Sequence, residues 1–280
     1  MGLDTAAQGP GGQSLTGQEA RASRRPVTPP TISVVIPAYN EGIRLPAFVE
    51  QLTRVCLAHP SPVLELIVSD DGSTPEHMEK ERASIEAAQA RLAGAGSPHR
   101  FRFLTAERNG GKGSAIRRGW RESDPQAEWL AFLDADGAVS AEEFLRMATL
   151  ATASPDHDVV VGSRIRMAGR HVERGLFRHL QGRVFATLTD MRFHLGYYDT
   201  QCGAKLFRAS MLRPLLDRLQ EQRWLIDVEL LVLMRDQGAR PLEVPVDWAD
   251  TGESKVRFGV DAVKMFWGLR EMHRRLNRPQ

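Results

Sequence analysis

Trp129-Leu-Ala-Phe-Leu-Asp-Ala-Asp136 decides the fold: five apolar residues run without a break into two carboxylates separated by one alanine. So short an apolar run reads as a strand buried on both faces. In an open parallel sheet, ligands sit beyond the carboxyl ends of the strands. An Asp-x-Asp triplet by itself is usually a solvated turn, but this one follows a buried strand directly. Two carboxylates at that spacing can reach one hard cation. Such a cation, Mg2+ or Mn2+, would neutralise a departing diphosphate.

The neighbouring segments repeat the pattern. Ile32-Ser-Val-Val-Ile36 is a β-branched strand stopped by Pro37, and Leu64-Glu-Leu-Ile-Val68 is a second, ending in Ser69-Asp-Asp-Gly-Ser73. Phe101-Arg-Phe-Leu104 and Val159-Val-Val161 are two more, the last closed by Gly162-Ser-Arg164. Helical signals lie between them. Leu45, Phe48, Val49 and Leu52 recur at helical spacing. Pro75 suits the first turn of a helix reaching Leu92. Asn109-Gly-Gly-Lys-Gly113 leads into a helix through Trp120. Ser140 with Glu143 resembles a capping box. The alternation predicts an α/β fold, a doubly wound, mostly parallel sheet with helices on both faces.

The second half is less regular. It predicts a helix over 175–195, a strand at Lys205-Leu-Phe207, a helix from Leu225 to Gln237 and a last helix from about Gly259 to Asn277. Pro241-Leu-Glu-Val-Pro-Val-Asp-Trp248 reads as an edge strand, where proline is tolerated.

Composition narrows the function. The 280 residues are 42% hydrophobic and 26% charged, enough for one large domain with a core. Lys plus Arg is 37 against 35 Asp plus Glu, a net charge of +2, which argues against a nucleic-acid binder on bulk charge. The two cysteines, Cys56 and Cys202, lack metal spacing, so a disulfide scaffold or zinc site is not expected. No apolar run approaches the roughly 20 residues of a membrane span. Residues 1–31 have no apolar core of a secretory signal and read as a disordered tail. The catalytic body is therefore expected to face the cytosol, peripheral on a membrane at most.

Three motifs join the Asp134-Ala-Asp136 triplet. In Asp70-Asp71-Gly72-Ser73, one carboxylate can accept a nucleobase N–H; the ordinary use of such a run is an Asp-Gly turn with a helix cap. Asn109-Gly-Gly-Lys-Gly-Ser114 is no P-loop, because Gly113 follows Lys112, and it lacks the glycine spacing of a dinucleotide fold. A glycine-rich helix start can still bind an anion, with Lys112 and Arg117 as candidate cations. Residues 164–183 carry Arg164, Arg166, Arg170, Arg174, Arg178 and Arg183 against Glu173 alone. The guanidinium fork suits phosphate oxygens, although a solvated helix face is the bland alternative.

With Val34-Val-Ile-Pro-Ala-Tyr-Asn-Glu41 in front of these motifs, the chain resembles glycosyltransferase family 2, whose members have the GT-A fold. The match covers about residues 31–256. Asp199-Thr-Gln-Cys-Gly-Ala-Lys-Leu-Phe207, Trp224-Leu-Ile-Asp-Val-Glu229, and Val244-Pro-Val-Asp-Trp248 followed by Glu253-Ser-Lys255 look most like dolichyl-phosphate β-glucosyltransferases. Polyprenyl-phosphate mannose synthases share the plan. The chain departs at Ala204, where Phe is usual, and at Glu253, where Gly commonly precedes Ser-Lys.

The resemblance implies a GT-A domain over 32–257 and an inverting, metal-dependent transfer of a hexose from a nucleotide-sugar. The best match is glucose from UDP-glucose onto a polyprenyl or dolichyl phosphate. Pro37, Tyr39, Glu41, Asp70, Asp71, Lys112, Gly113 and Asp134 would bind the donor. Asp136, with Asp134, would hold the metal. Asp227, Asp199 and Arg164 are the catalytic candidates, and Arg166, Arg178, Gln201 and Lys255 the acceptor contacts. Residues 258–280 form a basic amphipathic helix, suited either to a membrane interface or to packing on the body. The alternatives are GDP-mannose or another donor, a soluble hydroxyl acceptor with Asp227 as base, and a non-catalytic scaffold that binds nucleotide-sugar.

Overall fold

The computed structural model describes residues 31–173, 176–249 and 260–276, with side chains throughout except at 176–181 and 260–266. The expected N-terminal tail, Arg174 and Lys255 lie outside the described residues, as does the side chain of Arg178.

Seven strands form the main sheet: β1 (Thr31–Ala38), β2 (Val63–Asp70), β3 (Arg100–Thr105), β4 (Trp129–Leu133), β5 (Val159–Ser163), β7 (Ala204–Arg208) and β8 (Pro241–Pro245). Their order is β3-β2-β1-β4-β7-β5-β8. A two-stranded sheet pairs β6 (Val172–Glu173) with β9 (Trp248–Ala249). The helices are α1 (Leu45–Ala58), α2 (Pro75–Gly94), α3 (Lys112–Arg121), α4 (Ala141–Ala153), α5 (Leu176–Phe193), the short α6 (Ala209–Leu212), α7 (Ile226–Asp236) and α8 (Val260–Leu276).

Because strand side chains alternate, each apolar run feeds two cores. Val34, Ile36, Leu66, Val68, Trp129 and Ala131 meet α1, α2 and α4 on one face. Val35, Ile67, Leu130 and Phe132 meet α3 and α7 on the other. The doubly wound arrangement follows, and β8, with its prolines, does lie at the sheet edge. At the start of α4, Ser140 Oγ accepts the Glu143 amide at 3.2 Å. The Glu143 carboxylate turns instead to Arg146, Arg170 and the amide of Asp247, so only half of the expected box forms.

One strand runs against the rest: β7 is antiparallel to both β4 and β5. The chain leaves β5 at the carboxyl edge of the sheet and enters β7 from that same edge. A strand entered where its predecessor left must run the other way. This places Asp199–Gly203 directly beside the end of β4.

The last helix packs on the body through Leu269 and Met272, which are buried with Phe193 of α5 and Leu225, Val228 and Val232 of α7 and its entry. Among the described residues, no helix is long and apolar enough to cross a membrane.

Candidate active site

The strand order reverses between β1 and β4, since β1 leads to β2 on one side and β4 lies on the other. This switch point is where an open α/β sheet forms its ligand crevice. Asp70, Asp71, Asp134 and Asp136 all stand at this edge. Asp199, Lys205 and Asp227 join them from β7 and its approach and from the first turn of α7.

The β1 and β2 ends make one rigid corner. Asn40, with φ +53°, donates its amide to Ser73 Oγ and accepts the Thr74 amide at 2.9 Å. Asp70 is fully buried and accepts the amides of Gly72 and Ser73. Its partners are those of the Asx turn that the Asp-Gly pair suggested. Asp71 differs. Its Oδ2 accepts the amides of Gly110 at 3.1 Å and Gly111 at 2.6 Å, while Oδ1 is buried without a hydrogen bond. Arg118 Nη1 stands 4.0 Å from Oδ1, too far to satisfy it. A buried acceptor without a donor costs free energy, and Asp71 Oδ1 is such an atom at this edge.

Three other expected donor residues stand near this corner. Glu41 is buried, its carboxylate grips Arg44 at 2.6 and 2.8 Å, and its amide binds Glu81 Oε1. It braces the turn into α1. Tyr39 is exposed, and Pro37 lies in β1 opposite Ser69.

The glycine loop corrects the expectation of an open, anion-binding helix start. Gly113 and Ser114 donate their amides to Gln222 O at 2.8 and 3.3 Å, so that carbonyl caps α3. A Cβ on Gly111 or Gly113 would lie 2.4 Å from the carbonyl oxygens of Gln222 and Glu221 respectively. These glycines allow two backbones to touch. Arg117 is likewise turned away, onto the carbonyl of Leu219.

Lys112 alone of that loop sends its charge into the crevice. Its Nζ is 2.9 Å from Asp134 Oδ1 and 3.3 Å from Asp227 Oδ2. Burial works against its charge, but Asp134 and Asp227 outweigh that and hold the ammonium above the ordinary lysine range. Asp227 also meets Lys205 Nζ at 2.5 Å; Lys205 is fully buried and donates as well to Cys202 O. Both ammonium groups lie over the ring of Phe132, at 4.9 and 5.2 Å.

Sequence reading missed Lys205 as a site residue. The available signal was a lysine within the apolar run Cys-Gly-Ala-Lys-Leu-Phe207, since a lysine buried there must be paired. It also missed Gly203, whose carbonyl accepts the Asp134 amide at 2.8 Å.

Asp134 and Asp136 open into a cleft shared with Arg164, Gln201 and Trp248. Asp136 Oδ1 accepts the Ala138 amide at 3.0 Å. Two carboxylates facing a cleft fit a hard divalent cation that takes its remaining ligands from water and a diphosphate. Among the described residues, no group of three or more His, Cys, Asp or Glu side chains is arranged to hold a metal ion.

Asp199 and Arg164 form a fork-to-fork pair at 2.6 and 2.8 Å, reinforced by the Arg164 amide. Burial opposes the charge on Asp199, but Arg164 outweighs it and keeps the carboxyl well below the carboxylate range. Gln201 donates its amide to Asp199, and its Nε2 is buried without a partner.

Among the described residues, the arginines of the series do not converge on one point. Arg170 pairs with Glu143, and Arg183 bonds Tyr198 O and stacks on that ring at 3.9 Å. Arg166 is exposed beside Met167. Among the described residues, Arg164 is the arginine of the series that lines the cleft.

Known proteins share this plan. The family model described as Glycosyl transferase family 2 matches residues 33–216. A dolichyl-phosphate beta-glucosyltransferase of Trichomonas vaginalis is 32% identical over 80% of this chain, which spans 65% of that protein's length. The Homo sapiens protein of the same name is 32% identical, over 80% of this chain and 69% of its own. Among solved structures, glucosyl-3-phosphoglycerate synthase from Mycobacterium tuberculosis, crystallised with Mn2+, uridine diphosphate and phosphoglyceric acid, aligns with a TM-score of 0.62. The alignment covers 90% of this chain and 80% of that one at 18% identity, a likeness of fold.

Proposed function

The chain belongs to glycosyl transferase family 2, and from that premise we propose that it moves a hexose, glucose from UDP-glucose, onto a polyprenyl phosphate with inversion. The names of the relatives in Trichomonas and Homo sapiens support the sugar and the acceptor. Asp71 Oδ1 would accept the N–H of the base. Lys112 would face the diphosphate. Asp136 and Asp134 would hold Mg2+ or Mn2+, which stabilises the charge on the leaving group when bound.

The observation that carries the choice of acceptor is the double pairing of Asp227. A general base needs a carboxylate able to take a proton. Both oxygens of Asp227 are already engaged, Oδ1 by the buried Lys205 ammonium at 2.5 Å and Oδ2 by Lys112 at 3.3 Å. That is a poor base for a hydroxyl and a good fixed charge for orienting Lys112. A phosphate acceptor brings its own anionic nucleophile and needs no base, only cations to place it. The cleft-facing side of Arg164 would be one of them.

A lipid-linked acceptor also needs a side that meets the membrane. Of the last helix, Leu269 and Met272 point inward, which leaves Trp267 as its exposed apolar residue among those described. The better surface is on α5, where Val184, Leu188 and Met191 are 52%, 37% and 71% exposed at a spacing that puts them on one face.

The test pairs two lipids and two donors. Purified protein is given UDP-glucose or GDP-mannose with either a polyprenyl phosphate or the same polyprenol without its phosphate, and the lipids are read by mass. The expected product is the hexosyl phospholipid from UDP-glucose alone. Transfer to the bare polyprenol would overturn the acceptor reading, and transfer from GDP-mannose the donor reading.

A further inference from the structure

Glu229 is fully buried in α7, among apolar neighbours, yet it touches no part of the crevice directly. Its carboxylate is fully used. It accepts the amides of Gln220 at 3.1 Å and Glu221 at 2.9 Å, and the guanidinium of Arg275 at 2.7 Å. Arg275 belongs to α8 and grips the same loop twice more, at Gln220 Oε1, 3.0 Å, and at Glu221 Oε1, 3.5 Å. The next residue of that loop, Gln222, caps α3 through Gly113 and Ser114, and Arg117 of α3 reaches back to Leu219. Lys112 is the first residue of α3.

A continuous polar strap therefore runs from the last helix to the lysine at the centre of the crevice. Each link leaves little slack. No side chain fits at Gly111 or Gly113 against the loop. At the other end, a Cβ on Gly268 of α8 would lie 2.3 Å from Leu225 Cδ1, so α8 is seated closely on the entry to α7.

We propose that Arg275 is a positioning residue for the donor site: through Glu229 and residues 219–222, helix α8 fixes the first turn of α3 and with it Lys112. The proposal rests on the reading of Lys112 as the cation that faces the diphosphate. A partner on α8, a membrane surface included, would then act on donor binding through this strap.

A double-mutant cycle on the full chain tests it, with UDP affinity in the presence of Mn2+ read by calorimetry. Arg275→Met is expected to weaken UDP binding about fivefold, and Arg275→Lys to restore most of it. Lys112→Ala weakens binding by itself, and adding Arg275→Met to it should cost little more, because two residues acting through one point do not add. Amide exchange in Arg275→Met should quicken at 110–115 and 219–223 and stay unchanged in α1 and α2. Gln220→Ala, which removes one acceptor of the guanidinium and leaves Glu229 paired, is the milder second variant and should shift UDP affinity in the same direction. Wild-type UDP affinity in Arg275→Met, or a loss that adds in full to that of Lys112→Ala, overturns the proposal while leaving the donor reading intact. Wild-type affinity in Lys112→Ala overturns the reading of Lys112, and the proposal with it.

Discussion

Gly203 has no side chain because Asp134 stands where one would be: a Cβ there would lie 2.2 Å from Asp134 Oδ2. Gly203→Ala should push Asp134 aside and lower transfer about 100-fold, the order that a 1 Å misplacement costs. A steady-state assay beside a circular-dichroism melt checks this; wild-type turnover in a folded Gly203→Ala protein would contradict the geometry. Glu81 offers a test by pH. It is fully buried, and burial first, then the charges of Asp70 and Glu41, raise its carboxyl to about 7. A raised folded-state pKa favours the native state below the unfolded value and loses that advantage as pH rises through the folded one. Wild type should therefore lose about 3 kcal/mol between pH 4 and pH 8 from this group. Glu81→Gln, which keeps the hydrogen-bonding shape, should be the more stable protein at pH 8 and lose its lead at pH 4. Parallel melting-against-pH curves would contradict it. The acidic pairs were legible from sequence because each follows its own strand without interruption. Lys205 and Asp227 were not seen as a pair, since they meet only when β7 and α7 fold together. Removing one partner of such a buried pair costs about 3–5 kcal/mol, so Lys205 is a requirement for Asp227 to sit where it does.

At the scale of elements, periodicity gave the type of nearly every strand and helix but not the direction of β7. Alternating strand and helix implies parallel crossovers. β7 instead starts at the edge where β5 ends and runs antiparallel to both β4 and β5, a direction that a five-residue apolar run does not encode. The arginine series shows the same limit. Its charges suggested a phosphate trap, but Glu143, Asp199 and Tyr198, brought in from elsewhere in the chain, take up three of the side chains. What α5 does present is its apolar face. Replacing Val184 and Met191 together by Glu should lower the fraction of protein floating with anionic liposomes and weaken use of a long polyprenyl phosphate, while turnover with a short, soluble analogue stays at the wild-type level. Equal flotation of variant and wild type would remove α5 from the membrane account.

For the whole molecule, the sheet gathers its charges at one edge: carboxylates from β2, β4 and α7, ammonium groups from α3 and β7, and a guanidinium beyond β5. On the proposed reading, the acidic triplet at the end of β4 would hold the metal beside the leaving diphosphate, and Asp227, with both oxygens engaged, would leave the acceptor to bring its own charge. The direct test is transfer from UDP-glucose to a polyprenyl phosphate, measured as lipid-linked hexose while Mn2+ or Mg2+ is titrated into metal-stripped wild type and into Asp136→Ala. The expected result is product that rises with metal in the wild type and falls by at least about 100-fold in the variant, an electrostatic loss of about 2.7 kcal/mol or more. Metal-independent transfer, or an Asp136→Ala protein with wild-type turnover, would contradict the account.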